Sequence, residues 1–211
     1  MKNTLIVNMS PRPKGTSAML AGMCAEYLEK CGHRVARVNL YQELKSPEKL
    51  HDMVNGADTL VLSGPCYINT YPADVTAFLE GMAARPEILH GQAIYGIIQG
   101  GMPYAHTHES GLSMLQVFAR YCGLNDLGGF VMGMGAMLNG GPIDRLFNAR
   151  KVRRQLEIFF AHVSRGEPSP AQVYLDAQMK MPFIACKALA MVANRSIDRE
   201  AKRLEAAEVP R

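Results

Sequence analysis

The run Asn8-Met9-Ser10-Pro11-Arg12-Pro13-Lys14-Gly15-Thr16-Ser17 gathers three hydroxyls, a guanidinium and a glycine within ten positions. These are groups that bind anions. Ser10, Thr16 and Ser17 offer O–H donors, and Arg12 offers a planar cation whose bond to a phosphate oxygen contributes about 1.5–3 kcal/mol. Gly15 lets the backbone come close to a ligand. The apolar run Leu5-Ile6-Val7 precedes this stretch, and a helical pattern opens at Ala18. The order is strand, loop, helix. It sets the unpaired first N–H groups of a helix at the carboxyl edge of a sheet, where a phosphate accepts them and meets the positive end of the helix dipole. The spacing is neither G-x-x-x-x-G-K-[ST] nor G-x-G-x-x-G, which excludes those two phosphate loops. By themselves the residues admit two readings, an anion cradle or the ordinary caps of a surface helix.

The elements that must carry this loop follow from periodicity. Residues 4–9 read as strand one, and residues 16–31 as a helix with Met19, Leu20, Met23, Tyr27 and Leu28 on one stripe, stopped by Gly32. Residues 33–40 alternate polar and apolar, as an edge strand does. Residues 48–55 read as a short helix after the start signal Ser46-Pro47-Glu48. Asp58 to Ser63 is a strand buried on both faces, and residues 72–83 are a helix with Pro72 in its first turn. Residues 93–98 are strand four, and residues 109–123 a helix with Leu112, Leu115, Val117, Phe118 and Tyr121. Residues 127–134 are a glycine-rich fifth strand, and residues 144–165 a long amphipathic helix. Strands alternating with helices predict a parallel sheet covered on both faces. Five such units suit the doubly wound order 2-1-3-4-5, with a ligand beyond the carboxyl ends of strands one, three and four. The break Gly166-Glu167-Pro168-Ser169-Pro170 divides the chain into a domain at 1–168 and a helical extension at 169–211.

At 211 residues, 48% apolar and 20% charged, the chain reads as globular. Residues 1–142 balance at −1 and residues 143–211 at +5, so the basic surplus belongs to the tail. It is not interleaved with aromatics, which reads as a solvated face and not a nucleic-acid site. The same reading covers Arg150-Lys151-Val152-Arg153-Arg154, with a contact to an acidic partner or a nucleotide phosphate as the alternative. Five cysteines stand singly at 24, 31, 66, 122 and 186, which argues against a disulfide framework or metal ribbon and suits a cytoplasmic setting. No signal peptide or membrane span is expected. The apolar stretch at 181–193 comes closest, but Lys187 interrupts it.

The sheet order turns attention to two more loops. Gly64-Pro65-Cys66-Tyr67-Ile68-Asn69-Thr70-Tyr71-Pro72 follows strand three, and Gln99-Gly100-Gly101-Met102-Pro103-Tyr104 follows strand four. Neither holds a nucleophile and base. Glycine, proline and aromatic residues suit backbone and face contacts with a flat ring. Ser10/Arg12/Gly15/Thr16/Ser17 and Pro65/Tyr67/Pro72/Phe78 together resemble the flavodoxin-like family of NAD(P)H-dependent FMN reductases and quinone reductases, over about residues 1–165.

The resemblance implies an α/β flavodoxin-like fold and bound FMN, with its phosphate in the first loop. It also implies ring contacts from Pro65, Cys66, Tyr67, Ile68, Gln99, Gly100 and Gly101, with backbone N–H groups at 99–101 facing the ring. NADH or NADPH would give hydride to the flavin, and a small acceptor (quinone, flavin, azo or nitro compound) would take two electrons. No side chain is then catalytic. A homodimer is expected, with the tail from Met181-Pro182-Phe183-Ile184 onward covering a neighbour. The compact cysteine cluster of related iron–sulfur flavoproteins is missing. His106 and His108 lack further ligands at metal spacing and read as helix caps or lining of the flavin mouth. Met132, Met134 and Met137 read as adaptable packing. Two other readings stay open: a flavodoxin-type electron carrier without nicotinamide activity, and a flavin-less regulatory or scaffold protein.

Overall fold

The computed structural model describes residues 2–44, 47–67, 69–179 and 183–208. Five parallel strands form one sheet in the order β2-β1-β3-β4-β5: β1 (Asn3–Asn8), β2 (Arg34–Asn39), β3 (Thr59–Pro65), β4 (Ala93–Gln99) and β5 (Asn125–Met132). β3 is buried at every position and β4 at all but its first, as apolar runs between two helical layers must be. β2 keeps its polar alternation because it is an edge. The other edge is covered. The Ser169 N–H donates to the Leu127 carbonyl, and the Gln178 side chain donates to the Val131 carbonyl, so β5 does not offer an open ladder.

The helices that frame the sheet are α1 (Thr16–Lys30), α2 (Leu40–Glu43), α3 (Pro47–Asn55), α4 (Ala73–Ala83), α5 (Glu109–Tyr121), α6 (Gly135–Leu138), α7 (Ala149–Arg165) and α8 (Ala171–Ala177). The expected stripe on α1 is buried at Leu20 and Leu28 and half-buried at Met19, Met23 and Tyr27. The chain divides into two compact units, Met1–Gln178 and Met179–Arg211. The second contains α9 (Phe183–Glu208), on which Ile184, Met191, Val192 and Ile197 are exposed. Met181 and Pro182, named in the expected tail, lie outside the described residues. No helix among the described residues is long and apolar enough to cross a membrane.

Several boundaries differ from the sequence reading, and three of them bear on the site and the surface. β5 runs from 125 to 132, not from 127 to 134, because Asn125 pairs with Ala93 while the chain turns away after Met132. The long helix starts at Ala149. Ile143–Arg145 is a separate 3₁₀ turn, and Phe147 between the two is 91% exposed. Pro72 stands before α4 with φ −53° and ψ 149°, as its N-cap and not in its first turn. On α5 the expected stripe is only partly inward. Leu112, Leu115 and Phe118 are buried, whereas Val117 and Tyr121 are exposed. These two edge an apolar groove of about 820 Å³ between α4 and α5, which also takes in Leu79, Ala83, Met114 and Phe118.

Candidate functional site

The first loop is shaped by its own short hydrogen bonds. Ser10 N–H donates to the Asn8 side-chain oxygen (3.2 Å), Arg12 N–H to Ser10 Oγ (3.1 Å), and Gly15 N–H to the Arg12 carbonyl (3.1 Å). α1 starts after an extended Gly15 with no side-chain cap. The N–H groups of Thr16, Ser17 and Ala18 are therefore left without an acceptor among the described residues. Ser10, Thr16 and Ser17 are all buried, and Arg12 is exposed.

Two hydroxyl oxygens already accept an N–H: Ser10 from Arg12, and Ser17 from the Gln99 amide nitrogen (3.3 Å). Each keeps its proton to donate. A phosphate monoester needs such a set of two hydroxyls, three free N–H groups and a nearby guanidinium, and the set fits one. Thr16 departs from the expectation. Its hydroxyl donates to the Gly135 carbonyl (2.8 Å) and accepts from Gly140 N–H (3.2 Å), so its side chain ties two loops together.

The loop after β3 turns sharply. Tyr67 and Thr70 exchange two backbone bonds, 2.7 and 3.0 Å, around Asn69 at φ 62°. Pro65 ends β3, and Cys66 is buried with Sγ 3.6 Å from Ser110 Oγ. Tyr67 is 46% exposed. Ile68 lies outside the described residues. Tyr71 is buried over the tip of β3, and burial pushes its phenol well above its ordinary value.

The loop after β4 corrects a second expectation. The Gly100 N–H is spent on the Met132 carbonyl (3.2 Å), and its own carbonyl accepts Ala136 N–H (3.3 Å). Cys66 N–H is likewise spent on the Gln99 carbonyl (2.8 Å). The exposed Gly101 keeps an unspent N–H, so it and not Gly100 can offer a backbone donor to a ring. The buried His108 ring lies where a side chain on Gly100 would stand. Its Nε2–H donates to the Met102 carbonyl (3.2 Å), and burial holds the imidazole below its ordinary value. His106 is separate and stacks on Tyr104. Exposed Tyr67 and Met102 supply apolar surface beside these loops, of a kind that suits a flat ring.

The sequence reading missed the segment after β5. Met134 and Asn139, both in the left-handed region at φ 57° and 46°, bracket the single turn α6. This strap runs from the tip of β4 to the first loop. Met134 N–H donates to the Met102 carbonyl, and Gly140 presses on the Lys14 carbonyl so closely that no side chain fits. Gly15, Thr16 and Ser17 are buried beneath it. The glycines at 133, 135, 140 and 141 were its only signal in the sequence. Around the same strand tips three buried polar atoms have no hydrogen-bond partner among the described residues: Tyr71 Oη, Gln99 Oε1 and His108 Nδ1. Such atoms are scarce in folded proteins and call for an explanation. Strained backbone near them is a second mark of a site that is not purely structural.

Comparison with known proteins agrees on the architecture. The Flavodoxin_2 family model, described as a flavodoxin-like fold, matches residues 2–155. An apo-form NADH:FMN oxidoreductase, EMOB, superposes with a TM-score of 0.63 at 18% identity, covering 82% of this chain and 94% of its own. An azoreductase from Bacillus anthracis gives 0.53 at 15%, covering 79% and 100%. A general stress protein 14 from Treponema denticola, in complex with FMN, gives 0.54 at 14%, covering 79% and 99%. At these identities the likeness is one of fold. No curated protein matches the chain. The strand order, the Gly15 loop beneath the tips and a family match over more than two thirds of the sequence agree: the chain belongs to the Flavodoxin_2 family.

Proposed function

We propose that the protein is an FMN-dependent oxidoreductase that takes hydride from NADH or NADPH and passes two electrons to a small acceptor such as a quinone, a flavin, or an azo or nitro compound. The observation that carries this reading is the donor set at the start of α1, with its three unspent N–H groups, two proton-bearing serines and the unpaired Arg12. FMN, when bound, supplies the hydride acceptor and the two-electron donor. The chain's own groups bind and orient. The N–H groups of 16–18, Ser10, Ser17 and Arg12 hold the phosphate. Gly101 offers a backbone donor to the ring, and Tyr67 and Met102 offer apolar surface. Tyr71 and His108 keep water from the strand tips. No side chain is assigned a nucleophile's role.

Anaerobic mixing of FMN-loaded protein with NADH or NADPH tests the reading. Loss of flavin absorbance within seconds is the expected result. A loaded protein that keeps its colour is a carrier, and a preparation that takes up no FMN belongs to a scaffold. A homodimer is part of the same proposal, supported by the open apolar groove beside Ser110 and the loop after β3. A cytoplasmic location is supported by the singly scattered cysteines.

A further inference from the structure

We infer that the chain carries a second phosphate site, in the cavity between α1 and the β1–β2 edge of the sheet and apart from the first loop. It takes a phosphate dianion, either free or as the ester of a small molecule. The inference stands without the flavin reading.

The register of the two strands builds the floor of this cavity. Ile6 pairs with Arg37, and Asn8 pairs with Asn39. Side chains two apart on a strand share a face, so the four stand together on one side of the sheet. All four line a cavity of about 300 Å³, with Ala18 and Ala21 of α1 as a further wall. The alanines leave room that longer helical side chains would fill. Ser10, Arg12, Gly15, Thr16 and Ser17 do not line it.

The hydrogen bonds around the cavity run in one direction. The Ser10 N–H can only donate, and it donates to Asn8 Oδ1 at 3.2 Å. That fixes the Asn8 amide, whose Nδ2 donates to Asn39 Oδ1 at 2.9 Å. Asn39 Nδ2 in turn donates to Gln42 Oε1 at 3.1 Å. Each oxygen of the relay is engaged. Each asparagine nitrogen keeps one N–H that has no acceptor among the described residues. Asn8 is only 3% exposed, so its spare donor has little water to turn to.

Arg37 supplies the charge. It makes no ion pair or hydrogen bond among the described residues, and its guanidinium lies over α1 at Gly22, where a side chain would come within 3.4 Å of it. No carboxylate lines the cavity. The walls therefore present two amide donors and a cation, with no negative charge to oppose an anion. A tetrahedral oxyanion uses several such donors at once, and its charge suits a guanidinium. Ile6 and the two alanines offer apolar surface to an organic group esterified to it.

Calorimetric titration of the full-length, FMN-loaded protein tests the site, with inorganic phosphate and phenyl phosphate as probes. One saturable site is expected. Arg37→Gln is expected to weaken it about tenfold, as the loss of one charge-assisted bond does. Asn39→Asp keeps the acceptor for Asn8 but replaces a donor with a negative charge, and it is expected to weaken both probes at least as much. Melting curves without ligand check the fold of each variant. Tighter binding of phenyl phosphate identifies an ester as the ligand, and equal affinity identifies the free ion. No saturable binding of either probe, or binding that Arg37→Gln leaves unchanged, overturns the inference. Arg37 is then a charge that guards the open edge of β2. A protein that takes up no FMN overturns the proposed function and leaves this test intact, since Arg37→Gln reads the cavity in flavin-free protein as well.

Discussion

At the tip of β4 the His108 imidazole occupies the space a side chain on Gly100 would need, and it is held neutral there by burial. The Met102 carbonyl favours the charged ring but is the smaller influence. Because the folded-state pKa lies below the ordinary histidine value near 6.5, the contribution of His108 to stability is fully present above that value. It is lost as pH falls below it, where the unfolded chain takes a proton that the folded one resists. The urea midpoint of the wild type should fall between pH 7.5 and 5.5 more steeply than that of His108→Gln. For one proton the difference in slope is at most about 1.4 kcal/mol per pH unit. Parallel pH profiles would mean the buried ring charges freely. Residue chemistry in the first loop was legible because hydroxyls, guanidinium and glycine occur there together. The partner of Thr16 was not, since Gly135 lies 119 positions away and no local pattern joins them.

The strands were legible because a strand buried on both faces must be an apolar run, as β3 and β4 are. The amphipathic α1 and α7 declared themselves by helical spacing. Elements of one turn carry no period, so α2, α6 and the 3₁₀ turn at Ile143–Arg145 went unread. α6 matters most of the three, because its strap covers the first loop. Its far end depends on Gly140, at φ 79° and pressed on the Lys14 carbonyl. Gly140→Ala combines a strained left-handed residue with a collision against backbone, and each costs about 1–3 kcal/mol. Urea denaturation should show a loss of that size, about 2 kcal/mol or more. A loss under about 0.5 kcal/mol would show that the strap end is not pinned to the first loop.

For the molecule as a whole, the sequence revealed the sheet order but not the surface. Val117 and Tyr121 carry the helical spacing of core residues yet stand exposed on the α4–α5 groove, because periodicity counts apolar faces and not what covers them. On the proposed pairing of two copies, sedimentation velocity should report twice the 23.2 kDa chain mass. Val117→Asp combined with Tyr121→Asp should return it to a single chain. Wild-type protein sedimenting as one chain would remove the pairing. The central claim is that the start of α1 closes on a phosphate monoester. Titration of the purified protein with FMN and with riboflavin, which lacks the phosphate, tests it most directly, with Arg12→Ala alongside. A charge-assisted bond of about 1.5–3 kcal/mol corresponds to roughly tenfold or more in affinity. FMN should therefore bind at least tenfold more tightly than riboflavin, and Arg12→Ala should weaken FMN by more than tenfold while leaving riboflavin unchanged. Equal affinity for the two flavins, or no binding of either, would contradict the account.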